Sequence, residues 1–129
     1  MLTGRVKAII VSFITVTLLT IVPAGVAQIG KTRRVRFPKG RTSVTLKGAA
    51  VRGTQDRYML RAGSGQTMTL HITSTEDNAV FDVIPPTSDR PLATEVTDWT
   101  GKLPATGDYT IVVGPTRGNA TYTLEVTVR

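Results

Sequence analysis

The sequence predicts an all-β protein, a two-sheet antiparallel β-sandwich of about eight strands with a jelly-roll-like arrangement, behind an N-terminal signal peptide. After residue 27, apolar residues recur at every second position, and no segment places them at the i, i+3, i+4, i+7 spacing of an amphipathic helix. Turn-forming residues interrupt this alternation about every ten positions, which is typical of short antiparallel strands. Two facing sheets bury the apolar face of every strand. A closed barrel has the same period, so alternation alone does not separate the two architectures.

Residues 1–27 have the three parts of a secretory signal peptide. Arg5 and Lys7 supply the positive start, residues 8–22 are an apolar run, and small residues follow up to Ala27. The run is short for a membrane span of roughly 20 residues, which favours cleavage after Ala27 over an uncleaved anchor. We therefore expect residues 28–129 to form a single β-sandwich domain, periplasmic or secreted, with no stable membrane anchor once the signal is removed. The chain has no Cys, which excludes disulfides and a lipid attachment site.

Eight segments beyond the signal peptide carry the strand pattern. They are residues 33–37, 42–51, 56–62, 67–73, 78–84, 98–103, 107–113 and 120–128. Residues 85–95 hold three prolines and are predicted to form a loop. The predicted core consists of Val35, Phe37, Val44, Leu46, Ala49, Tyr58, Leu60, Met68, Leu70, Ile72, residues 80–84, Trp99, Tyr109, Ile111, Val113, Tyr122, Leu124, Val126 and Val128.

Charge is distributed unevenly along the chain. Residues 31–61 hold ten Lys and Arg against Asp56 alone, whereas residues 62–129 hold four basic residues and eight acids. Clustered cations bind phosphates, but an exported all-β chain without a recognition helix or an exposed aromatic stacking pair does not fit a nucleic-acid-binding protein. An anionic envelope polymer, lipid headgroups or an acidic protein are better partners for the basic segment. The alternative is a solvated basic edge that meets acids from the second half of the chain, and such surface charges contribute little to stability or binding.

The residues that catalysis or metal binding requires are scarce. There is no Cys nucleophile, and the single His, His71, lies in the polar row of a threonine-rich strand. No G-x-S-x-G turn is present, so a hydrolase would have to use His71 or a serine at an unrecognised site. One His without Cys makes a zinc site unlikely to form. Residues 76–82 group Glu76, Asp77, Asn78 and Asp82, whose oxygens suit calcium, although an acidic turn before a strand explains them equally well. We predict no enzyme, no cofactor and no metal.

The last two predicted strands frame a short connection that carries one cation. The pattern predicts a β-hairpin whose turn uses Gly118 and Asn119 for positive φ, with Thr116 and Arg117 before them. Turn geometry does not require Arg117, whose planar fork of N–H donors matches a carboxylate. A rigid hairpin tip could present it to an acidic cleft at low entropic cost. A solvated turn arginine is the alternative from spacing alone.

Several motifs give the chain a family resemblance. Residues 39–73, with their D-x-Y and G-Q-x-hydrophobic strands, and the final G-x-Y strand resemble the bacterial pre-peptidase C-terminal domain family. Phe37-Pro38-Lys39-Gly40, residues 103–109 and Thr116-Arg117 are similar to the periplasmic inhibitors of goose-type (g-type) lysozyme.

This resemblance implies a function. It implies a β-sandwich that inserts a hairpin loop into the active-site groove of a g-type lysozyme, where glycoside cleavage depends on carboxyl groups. Arg117, Thr116, Gly118 and Asn119 would then bind the enzyme. The alternative function is a non-catalytic adhesion module, which binds carbohydrate or polymer in the cell envelope through residues 31–61.

Overall fold

The structure is a computed structural model and describes residues 28–129 of the chain. These residues form nine strands and no helix. The strands are β1 (Gln28–Arg34), β2 (Ser43–Ala50), β3 (Thr54–Ala62), β4 (Thr67–Ser74), β5 (Ala79–Ile84), β6 (Ala93–Val96), β7 (Asp98–Lys102), β8 (Gly107–Pro115) and β9 (Ala120–Val128). Over these residues there is no helix with the length and apolar character that crossing a bilayer requires. The predicted signal peptide, residues 1–27, lies outside the described residues.

The strands form two sheets that face each other across one core. The five-stranded sheet has the order β1-β3-β8-β5-β6, and the four-stranded sheet has the order β2-β9-β4-β7. Every paired ladder is antiparallel except that between β1 and β3, which is parallel. The predicted all-β, two-sheet architecture is confirmed, with one strand more than expected.

Two segments differ from the prediction by more than two residues. The first strand occupies Gln28–Arg34 rather than residues 33–37, although the Val35 N–H still donates to the Met59 carbonyl at 2.8 Å. Val35 is buried and Phe37 packs against the core, so the alternation marks burial beyond the end of the ladder. The second difference is β6, which lies mostly within the predicted loop 85–95. This strand has only four residues, and the backbone at Glu95 has a positive φ. Such a short, irregular strand does not show the alternation of apolar and polar residues from which strands are predicted.

The core is built from the faces that alternation predicts. Tyr58, Leu60, Met68, Leu70, Ile72, Phe81, Val83, Tyr109, Ile111, Val113, Tyr122, Leu124, Val126 and Val128 are buried. Ala49 is exposed and Ala50 is buried, so the inward assignment of Ala49 was wrong. Strict alternation from Val44 and Leu46 places Gly48 and Ala50 on the inner face. The Tyr122 ring lies directly over Gly48, where a larger side chain would clash with it.

A buried polar network joins the sheets beside the beginning of β3. Asp56 is 2% exposed and accepts hydrogen bonds from the Tyr122 hydroxyl at 2.7 Å and from the Lys31 N–H at 3.0 Å. The Tyr58 and Tyr122 hydroxyls lie 2.5 Å apart. Because the Tyr122 hydrogen points to Asp56, Tyr58 is the donor in that pair. The network attaches β1 to β3 and satisfies a carboxylate that would otherwise be costly to bury.

This network should make the fold sensitive to alkaline pH. Burial raises the pKa of both Tyr58 and Tyr122 above the ordinary value of 10.0. Their contribution to stability is therefore complete below pH 10 and is lost as the pH rises further, because the unfolded tyrosines ionise first. Tyr122→Phe should lower the free energy of unfolding by about 1–3 kcal/mol at neutral pH, since Asp56 loses a donor. It should also flatten the decline above pH 10, and urea titrations at several pH values measure both effects. An unchanged slope would contradict this account.

Candidate functional site

Three connections meet at one end of the sandwich because of the directions of their strands. β2, β4 and β8 run towards this end, and β3, β5 and β9 run away from it. The connections are residues 51–53, 75–78 and 116–119, and together we call them the loop cluster. Loops held by rigid strands are the usual binding surfaces of sandwiches.

The connection that carries Arg117 is not a hairpin. β8 pairs with β3 and β5 in one sheet, and β9 pairs with β2 and β4 in the other, so residues 116–119 cross between the sheets. The hairpin prediction was wrong because a crossing connection and a hairpin leave the same alternation in the flanking strands. Gly118 has the predicted positive φ of 57°, but Asn119 does not have one. The Asn119 side chain instead accepts a hydrogen bond from the Arg52 N–H at 2.9 Å, which joins two loops of the cluster.

Asn78 holds the crossing connection in place from below. Its side chain is 1% exposed, and its Nδ2 donates to the carbonyl oxygens of Arg117 at 3.0 Å and Asn119 at 2.9 Å. Its own carbonyl accepts the Thr116 N–H at 2.8 Å. The opposite amide orientation would bring oxygen against two carbonyl oxygens, so the network determines it. From the sequence, Asn78 was considered only as a calcium ligand or as part of an acidic turn, because nothing local links it to residues 116–119.

Arg117 lies exposed at the surface of the loop cluster. Its Nη2 donates to the backbone carbonyl of Glu76 at 2.8 Å. The ion pairs found within residues 28–129 are Arg34–Asp108 and His71–Asp98, so none of the carboxylates described there neutralises Arg117. One edge of the guanidinium is therefore held by the protein, and its charge is available to an outside acceptor. Thr116, Gly118 and Asn119 are exposed beside it.

An apolar side chain lies in the neighbouring loop. Val51 is 58% exposed, more than Leu92, the other large hydrophobic residue exposed in the described part of the chain. The Thr54 N–H and hydroxyl both donate to the Val51 carbonyl, at 2.9 and 2.7 Å, which makes this turn rigid. The sequence placed Val51 at the end of a strand and gave no sign of a site. The cluster thus combines a cation with a fixed apolar contact.

The residues considered for metal binding and catalysis do not come together in the structure. Asp82 accepts the Glu95 N–H at 2.7 Å, and residues 28–129 contain no group of three His, Asp or Glu side chains placed to hold a metal ion. His71 Nδ1 contacts Asp98 on the outer face of the four-stranded sheet, and in the described residues no serine hydroxyl bonds its ring. Ser74, nearby in β4, uses its hydroxyl to accept the Asn78 N–H. These positions do not form a Ser–His–Asp arrangement.

The chain is similar in fold to known proteins, although not to any known family model. No family model matches the chain, and no curated protein matches it in sequence. In fold it is a β-sandwich of the pre-peptidase C-terminal class. The domain of that name from a Bacillus anthracis collagenase aligns over 77% of this chain and 95% of its own length, with a TM-score of 0.54 and 14% identity.

Sequence identity to a solved structure shows the family. The periplasmic inhibitor of g-type lysozyme from Aeromonas hydrophila, PliG, is 32% identical over 79% of this chain and 98% of its own length, with a TM-score of 0.72. The Salmonella Typhimurium PliG shares the fold at 24% identity over 78% of this chain and 99% of its own, with a TM-score of 0.64. The chain belongs to the family of periplasmic g-type lysozyme inhibitors, and both predicted resemblances are confirmed.

Proposed function

We propose that the protein is an exported, non-catalytic inhibitor of g-type lysozyme that acts in the periplasm. The observation that carries this proposal is the 32% identity to an inhibitor of that enzyme, over 98% of the inhibitor's length. Removal of residues 1–27 on export belongs to the proposal. The enzyme is the protein partner, and no cofactor takes part.

The loop cluster binds the enzyme in this proposal. Glycoside hydrolysis depends on carboxyl groups in a cleft, and an arginine fork offers them paired, charge-assisted hydrogen bonds. Arg117 has no carboxylate partner among residues 28–129, so no internal ion pair has to break when it binds. Thr116, Gly118 and Asn119 bring backbone and side-chain polar groups to the same contact.

Rigidity makes this contact effective. The crossing connection is attached to Asn78, to Arg52 and, through Arg117 itself, to the Glu76 carbonyl. A preformed loop loses little conformational entropy when it binds, so more of the interaction energy appears as affinity. Val51, exposed in the neighbouring turn, adds an apolar contact that excludes water around the ion pair. The mechanism is therefore occlusion of the cleft by a rigid, crossing loop.

An enzyme assay tests the proposal. Lysis of a peptidoglycan suspension by a g-type lysozyme should slow in proportion to added inhibitor and stop near a one-to-one ratio. A c-type lysozyme in the same assay serves as the control and should keep its activity. If micromolar inhibitor neither slows nor binds a g-type lysozyme, the proposed function is wrong.

A further inference from the structure

We infer that the outer face of the five-stranded sheet holds a second binding site, centred on Arg57, for a carboxylate-bearing glycan. The site is a groove of about 470 Å³ between β3, β8 and the connection from β5 to β6. Its lining includes Arg57, Asp108, Thr110 and the stretch 84–89. We call it the Arg57 groove. The connection that walls it is at the opposite end of the sandwich from the loop cluster, so this site is separate from the proposed lysozyme contact.

The wall of the groove is fixed to the sheet. Pro85 is buried, and Pro86 lies directly over Gly107 at the beginning of β8. A Cβ at position 107 would lie 2.8 Å from the Cβ of Pro86, so only glycine allows this approach. Ser88 accepts the Arg90 N–H at 3.0 Å and shapes the rest of the wall. The groove is therefore built into the fold.

Arg57 lacks a partner for its charge. Its Nε is buried with no hydrogen-bond acceptor, and none of the carboxylates in residues 28–129 lies within ion-pair distance. Asp108, which also lines the groove, is already paired to both terminal nitrogens of Arg34 at 3.1 and 2.8 Å. A buried donor without an acceptor is unfavourable, and a bound ligand group can supply the acceptor. A carboxylate in the groove supplies that acceptor once the guanidinium turns towards it.

The surroundings favour a sugar acid over an acidic peptide. Thr87, Ser88 and Thr110 line the groove, and a hydroxyl side chain can both donate to and accept from sugar hydroxyls. The Asp89 carboxylate on the wall repels an anion, so the carboxylate of the ligand binds on the side of the groove that holds Arg57.

A second groove with further arginines indicates that the ligand is a polymer that spans both grooves. It has about 460 Å³, is lined by Arg34, Arg36, Phe37 and Arg61, and flanks the Arg34–Asp108 pair from the other side. Arg57 and Arg61 are four residues apart on one face of β3, about 13 Å at the rise of a strand. Two cations at that separation fit a linear chain with repeated acid groups. This ligand also gives a use to the basic segment 31–61, which lysozyme binding does not explain.

The binding test uses the exported protein and an oligomer of ten galacturonic acid units at physiological salt, measured by titration calorimetry. Arg57→Gln should weaken binding at least tenfold, and Arg57→Lys, which keeps the charge but loses the fork, at least threefold. Lys47→Gln removes an exposed cation from β2 in the other sheet and should change affinity less than twofold. Asp89→Asn should tighten binding, which keeps a readout if Arg57→Gln fails to fold.

Several outcomes would overturn the inference. They are no binding by the wild type, equal losses in Arg57→Gln and Lys47→Gln, or equally tight binding of the methyl-esterified oligomer. Binding of poly-glutamate as tightly as the sugar acid would show that the surface takes acidic protein instead. Arg57→Gln should inhibit g-type lysozyme like the wild type, so the failure of this site and the failure of the proposed function are distinguishable.

Discussion

Arg117→Ala should weaken inhibition of g-type lysozyme by about 2–4 kcal/mol, the cost of truncating a central interface arginine. We expect this loss because, in the proposed complex, the exposed guanidinium meets the catalytic cleft. No carboxylate of residues 28–129 neutralises it in the free protein. Most of the effect should appear in the dissociation rate, measured by surface plasmon resonance alongside the lysis assay. Stability should change little, since the mutation removes one exposed hydrogen bond, to the Glu76 carbonyl.

Two further variants separate the position of this cation from its charge. Arg90→Ala removes an exposed arginine from the β5–β6 connection at the opposite end of the sandwich and should inhibit like the wild type. Arg117→Lys keeps the charge and should retain only part of the affinity, because an ammonium group cannot pair side-on with a carboxylate. If Arg117→Ala inhibits as well as the wild type, the loop cluster is not the contact, even if the protein is an inhibitor.

Asn78→Ala should reduce both stability and inhibition, although Asn78 is buried and cannot touch the enzyme. The mutation leaves the carbonyls of Arg117 and Asn119 without their donor, which should cost about 1–3 kcal/mol in the free energy of unfolding. The crossing connection then becomes mobile, and ordering it again on binding lowers affinity. Urea denaturation and the lysis assay, the latter at a temperature where the variant is fully folded, measure the two effects.

The matched control for Asn78 is Tyr122→Phe. That change should cost a similar free energy of unfolding but leaves both hydrogen bonds from Asn78 to the crossing connection in place, so the folded variant should inhibit like the wild type. Equal inhibition by folded Asn78→Ala and the wild type would show that the anchoring of the loop does not matter for binding.

Local alternation predicted the buried face of most strands, although it misplaced Ala49, missed β6 and did not show that Val80 and Ile84 are only half-buried. It placed Tyr58, Leu70 and Leu124 correctly because the pleat forces successive side chains to opposite faces. Pairing is a long-range property, and alternation carries no information about it. The same pattern in β8 and β9 fits a hairpin and a crossing between sheets, so the hairpin prediction failed where the partners of each strand had to be known.

The candidate site was predictable only in part, because some of its residues come together only through long-range contacts. Arg117 became a candidate from the sequence because turn geometry did not explain it. Asn78 lies thirty-nine residues earlier in the sequence, and only the fold brings its amide to the Arg117 carbonyl. Val51 and Arg57 likewise become candidates only through their surroundings. Val51 lies in an exposed turn, and Arg57 lines a groove in which its Nε has no acceptor.

The parallel ladder between β1 and β3 has a practical consequence for how the protein is attached to a surface. Gln28 pairs with Thr54, directly after the turn that carries Val51, so the beginning of β1 lies beside the loop cluster. Arg129 follows β9 at the far end, where its N–H bonds the Thr67 carbonyl. A biotin or a sensor linker attached after Arg129 therefore orients the loop cluster outward, whereas a fusion partner directly ahead of Gln28 would crowd it.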